Sequence, residues 1–164
     1  MMKTCCNLKY YNWKKIFNGY ILLFAAFPFA SCEEKPYKYK EGVLAYLKNE
    51  HYILPHLMKD HIFYILDVEN CSCSETHLQS LINTDLGAAL TLIIVGDSEF
   101  WQKIKPGFKD INIKYDTQFS IKHYETGFGP PLVVYFRKGD LYKAWNVEDT
   151  KVVETLNYFQ QFLK

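Results

Sequence analysis

The chain has 164 residues, 49% of them hydrophobic and 17% aromatic, which supplies apolar material for one domain core and too little length for two. Its formal charge of +1 conceals an asymmetry: Lys3, Lys9, Lys14 and Lys15 all precede the first acidic residue, Glu33, so the chain beyond residue 32 carries a net charge of about −3. A nucleic-acid footprint needs a basic face in the folded part, and none is present in this balance.

Residues 1–32 read as a processing signal: a basic stretch to Lys15, an apolar run from Ile16 to Ala30 broken by Asn18 and Gly19, then small residues before Cys32. The run is short for a helix crossing a hydrocarbon layer of about 30 Å, which wants about 20 apolar residues, so a cleaved signal fits better than a permanent span. "FASC", Phe29 to Cys32, resembles the lipobox of bacterial lipoproteins, although Phe29 stands where that family usually has Leu. The resemblance implies acylation of Cys32 and attachment to a membrane in the envelope of a Gram-negative bacterium, facing periplasm or cell surface. Glu33 and Glu34 resemble the acidic cluster that some such lineages use to send lipoproteins outward. An ordinary secretory signal and an uncleaved anchor are the alternatives.

Residues 33–41, charged and carrying Pro36, read as a tether, and residues 42–164 as the folded domain. Cys5 and Cys6 leave with the signal and Cys32 takes the lipid, so only Cys71 and Cys73 remain in that domain. An exported compartment permits disulfides; the two either pair, bind something together, or stay reduced.

In chain order, Val43, Leu44, Tyr46 and Leu47 suit a helix that stops before Pro55. "HIFYILDV", His61 to Val68, has the continuous aromatic and β-branched character of a strand buried on both faces. Ser72 or Ser74 can cap a following helix, with Leu78, Leu81 and Ile82 as its apolar stripe, which places both cysteines at a strand-to-helix junction. "ALTLIIVG", Ala89 to Gly96, is a second buried strand, and Ser98 opens a short helix that ends at Pro106 and Gly107. A shorter strand is expected at Ile111–Tyr115. "PLVVYF", Pro131 to Phe136, and "LYKAW", Leu141 to Trp145, form a hairpin through "RKGD". Val152, Leu156, Phe159 and Leu163 recur at helical spacing in a last helix from about Asp149. The order β-α-β-α-β, then β-β-α, argues for an α/β fold with a central mixed sheet and helices on both sides.

"NCSCSE" after "HIFYILDV", and later "GPPLVVYFRKGDLYKA", resemble in this order the thioredoxin-like superfamily, of the exported thioredoxin/TlpA-like reductase type, over about residues 42 to 164. The resemblance implies a thioredoxin-like fold, thiol-disulfide exchange without a cofactor or metal, and a monomer. Its partners would be exported thiol or disulfide proteins or a membrane redox protein. The first turn of a helix exposes N–H groups and a positive dipole end, which lower a thiol's pKa from about 8.5 and raise its thiolate fraction. A neighbouring thiol then resolves the mixed disulfide.

The family usually places two residues between its cysteines, and here only Ser72 intervenes, so a disulfide, if formed, would close a small strained ring and be comparatively oxidising. Cys71 is favoured as nucleophile, with Ser74 at the resolving position; the competing alignment puts Cys73 at the resolving position and Asn70 at the nucleophile's. The resemblance implies a cis proline facing the cysteines. Counting back from Gly139 fits Pro131 with thioredoxin-type spacing and Pro130 with the longer spacing of exported thioredoxin-like reductases. Pro131 is favoured because Phe136 then matches the end of the strand, against the alternative of two prolines in a plain turn. Asp67, ending the buried strand, is the carboxylate placed to relay the thiol proton, against the alternative of a solvated strand end. His77, one helical turn past Cys73, is placed to stabilise a thiolate or help ligate a metal, but is expected on the exposed face of its helix. His51, His56 and His61 fit no metal spacing. Aromatics such as Tyr37, Phe119, Tyr124 and Phe128 read as packing, although "HYETGFGPP" sets some of them beside the expected site.

Two rival functions stay open. One is a non-catalytic lipoprotein using the fold as a binding or assembly module. The other resembles exported copper-delivery proteins of the same fold, with Cys71 and Cys73 as soft Cu(I) ligands and His123 as the nearby histidine.

Overall fold

The computed structural model describes residues 37–84, 86–108, 111–129 and 131–162, all within the compact unit Glu34–Lys164. The expected signal, Cys32 and Pro130 lie outside the described residues. Strands β1 (His61–Asp67), β2 (Leu90–Val95), β3 (Asn112–Asp116), β4 (Leu132–Arg137) and β5 (Asp140–Asn146) form one sheet in the order β3-β2-β1-β4-β5. β1 pairs in parallel with β2 and antiparallel with β4; β2 and β3 are parallel, and β4 and β5 antiparallel.

The unbroken apolar run of β1 follows from its central place, where both faces are covered and every residue is buried. Its alternate residues feed two cores. Ile62, Tyr64 and Leu66 point to one, with Leu78 and Leu81 of helix α2 (Ser74–Ile82), Trp101 of α3 (Glu99–Ile104), and Val152, Leu156 and Phe159 of α4 (Val152–Phe162). Phe63 and Ile65 point to the other, with Val43, Tyr46 and Leu47 of α1 (Lys40–His51) and Ile121 of a 3-10 turn, Ser120–His123. Burying each large apolar side chain of these stripes contributes about 1.5–3 kcal/mol. The architecture is thioredoxin-like.

Local chemistry places the boundaries. α1 ends at His51, before the limit set by Pro55, because Tyr52 takes the left-handed conformation and its N–H closes on Lys48 O. It also begins within the stretch read as tether, and Tyr37 donates to Thr126 O at 2.8 Å. Ser98 caps α3 as expected, accepting from Trp101 N at 3.1 Å. No serine caps α2: Cys73 holds the N-cap position, with no side-chain cap. The β4–β5 hairpin turns on Lys138 and Gly139, both at positive φ, the geometry of a two-residue type I′ turn. Asp60 secures it, accepting from Lys138 N at 3.0 Å and from the Tyr135 hydroxyl at 3.2 Å. Among the described residues no helix is long and apolar enough to cross a membrane.

Candidate functional site

β1 delivers the chain to one end of the sheet, where Asp67 organises the next turn. Its carboxylate is buried rather than solvated, and Oδ1 accepts from Glu69 N at 3.0 Å and Asn70 N at 2.7 Å. Asn70 Nδ2 adds contacts of 3.3 and 3.2 Å to the two carboxylate oxygens. These bonds satisfy the carboxylate within the turn and set the direction in which Cys71 leaves the strand.

Cys71 and Cys73 are joined as a disulfide, with Cα atoms 5.1 Å apart. Cys71 is half-buried and Ser72 exposed, while Cys73 is 8% exposed. The Cys73 N–H donates to Cys71 Sγ at 3.3 Å, and Cys71 O receives the Ser74 N–H at 3.1 Å. A thiolate on Cys71 would therefore meet a backbone donor at the opening turn of α2. The two cysteines are thus within disulfide reach of each other, and Cys71 is the more exposed residue of the pair.

His77 departs from expectation. It is fully buried rather than on an exposed helix face, because α2 turns the Cys73, His77 and Leu81 side of the helix toward the sheet and α4. Its Nδ1 pairs with the Tyr64 hydroxyl and its Nε2 lies 3.1 Å from Asp149 Oδ1. A carboxylate only accepts, so Nε2 carries the hydrogen and Nδ1 accepts from Tyr64. Desolvation lowers the His77 pKa against the opposing pull of Asp149, so the imidazole is neutral near pH 7 and the contact is a hydrogen bond rather than an ion pair. Burial, with Asp149 adding to it, likewise raises the Tyr64 pKa and keeps that hydroxyl protonated.

Donor atoms of Cys73, His77 and Asp149 all lie within 4.8 Å of one another. Behind the outer sulfur thus stands a buried cluster that leads outward, since the Asp149 side chain is 55% exposed. The sequence places His77 one helical turn past Cys73 but on the outer face, and gives Tyr64 and Asp149 no place at the site. The i, i+4 spacing was the available signal for His77. None existed for Asp149, which is 72 residues away.

Pro131 is buried, and Leu132 pairs with Ile65, so Pro131 stands at the same end of the sheet as the cysteine turn. Its carbonyl accepts from Val147 N at 3.0 Å. The segment before it is held on both sides: Asn146 accepts from Gly129 N at 3.1 Å and donates to Gly127 O at 3.4 Å, while a Cβ on Gly42 of α1 would overlap the Glu125 carbonyl. A cleft of about 650 Å³, lined by Lys38, Tyr39, Asn70, Lys122, Tyr124 and Phe128, runs from this segment to the residue preceding Cys71. His123 is exposed on the Ser120–His123 turn, and the histidine grouped with Cys73 is His77.

No family model matches the chain, and no curated protein matches it. Among solved structures it is similar to a peroxiredoxin-like protein from Aquifex aeolicus, at 9% identity, with 62% of this chain and 72% of that one covered and a TM-score of 0.41. It is also similar to a secreted Mycobacterium tuberculosis disulfide oxidoreductase homologous to E. coli DsbE, at 11% identity, 61% and 81% coverage and a TM-score of 0.41. The thioredoxin-like assignment rests on strand order, strand direction and the two helical layers.

Proposed function

We propose that this chain is an exported, lipid-anchored protein that exchanges thiols and disulfides, with Cys71 as the attacking sulfur and Cys73 as the resolving one. The supporting observation is the bonded pair at the strand-to-helix junction, with Cys71 half-buried and Cys73 buried beside His77 and Asp149. In the reduced protein, a Cys71 thiolate attacks a substrate disulfide and expels one substrate sulfur as a thiolate, which takes a proton from water. Cys73 then gives its proton to the Asp149 carboxylate, which His77 Nε2–H holds in place, and attacks Cys71 Sγ, closing the internal disulfide and releasing the second substrate thiolate. Two electrons pass from the pair to the substrate; the reverse sequence oxidises a dithiol. Asp67 supports this indirectly, by ordering the turn that carries Cys71.

The export and anchoring part of the proposal is supported by the processing pattern of residues 1–32 and the lipobox-like end at Cys32. The partners proposed are exported thiol or disulfide proteins, which the cleft beside Asn70 would receive.

Replacing Cys73 with serine tests the proposal. The reduced variant should accumulate mixed disulfides through Cys71 with exported proteins, released by a dithiol and absent when Cys71 is also replaced. A Cys71 that stays inert to alkylating reagents in the reduced native protein would sink the reading.

A further inference from the structure

The buried cluster behind the disulfide holds more donors than uptake of the Cys73 proton requires. We propose that the reduced protein binds one Zn²⁺ through Cys73, His77 and Asp149, with Cys71 as fourth ligand, and that closing the Cys71–Cys73 disulfide expels it. The proposal shares with the exchange reading only the requirement that the disulfide be reducible.

Three observations carry it. Ligand atoms from Cys73, His77 and Asp149 already gather within 4.8 Å, with His77 Nε2 and Asp149 Oδ1 at 3.1 Å, so small side-chain rotations bring them around a cation at about 2.0–2.3 Å. Cys73 and His77 stand at i, i+4 on one face of α2, the spacing that points two side chains at a common ion. The Tyr64 hydroxyl holds His77 Nδ1 and leaves Nε2 facing Cys73 and Asp149, the outer hydrogen bond that orients a ligating imidazole. On binding, the ring proton moves to Nδ1 and Tyr64 turns to accept it. Two sulfurs, one nitrogen and one oxygen suit Zn²⁺ in a tetrahedral site. The exposed Asp149 edge gives the ion its approach from solvent.

The disulfide controls occupancy because its formation consumes both sulfurs. Loading displaces the two thiol protons. A disulfide oxidant, RSSR, then takes two electrons from the two metal-bound thiolates and two protons from water and leaves as two RSH, while Cys71–Cys73 closes and Zn²⁺ departs with its charge unchanged.

The test uses the full chain, reduced with a phosphine, and Zn²⁺ or Co²⁺ alone as probe. Reduced wild type should bind one equivalent, with Co²⁺ giving thiolate-to-metal charge-transfer absorption, and the oxidised protein should give none. Asp149→Asn, at an exposed position, and His77→Asn should each weaken binding about tenfold or more; circular dichroism shows whether the buried variant has folded, and Asp149→Asn decides if it has not. Cys71→Ser should weaken binding as well. Absence of binding to the reduced protein, equal binding to the oxidised protein, or unchanged affinity in folded Asp149→Asn would each overturn the proposal. Trapping of mixed disulfides by the Cys73→Ser variant reads the exchange reading separately.

Discussion

Lowering the pH from about 7 to about 5 should remove about 2 kcal/mol of folding stability through His61 alone. His61 is 7% exposed, at the start of β1, with Nε2 2.9 Å from Thr91 Oγ1 of the neighbouring β2. Desolvation there brings its pKa from 6.5 down to about 4. Between those values the unfolded chain binds a proton that the folded protein refuses. The stability from this group is therefore complete above about pH 6.5, falls as the pH drops, and levels off below about pH 4, where the loss reaches about 3 kcal/mol at about 1.36 kcal/mol per pKa unit. His51 and His77, whose pKa values burial also lowers, push in the same direction. The assay is denaturant unfolding at a series of pH values for wild type and His61→Gln, which keeps a polar partner for Thr91 and cannot titrate. The stability difference between the two should change by about 2 kcal/mol between about pH 7 and about pH 5. Parallel pH profiles would refute the reasoning, because they would mean that His61 titrates alike in both states.

Gly42→Ala places a Cβ against the Glu125 carbonyl, so α1 or the segment before Pro131 must shift; a loss of about 1–3 kcal/mol is expected in thermal or denaturant unfolding. Tyr64→Phe keeps the ring in its core but leaves His77 Nδ1 buried without its donor, and chemical denaturation should show a loss of about 1–3 kcal/mol. Asp67→Asn keeps one acceptor for the Glu69 and Asn70 N–H groups while removing the charge, so stability should fall by about 1 kcal/mol with the pH profile of thiol exchange unchanged. A shifted profile would instead give Asp67 the proton-relay role expected from its position at the end of the buried strand.

The sequence by itself determined the features that are settled within a few residues. The run from His61 to Val68 could only be satisfied between two covered faces, and it became the central strand. Ser98 capped its own helix, and the lysine-glycine pair after Arg137 turned its own hairpin, because those bonds and dihedrals close over short distances. From such pieces the element order, the mixed sheet and the cysteine junction were legible. What lay beyond local reach was decided by the tertiary structure. Whether His77 faced water or core depended on how α2 rolled against β1 and α4, and a helix of nine residues with buried Ser74, His77, Leu78 and Leu81 shows no gap in its apolar pattern that would announce a histidine inside. Asp149 reached that imidazole only because α4 docks across the same face of the sheet, and Tyr64 met it only because strand alternation sends that hydroxyl toward α2. Periodicity places a side chain on a face; only packing decides what that face meets.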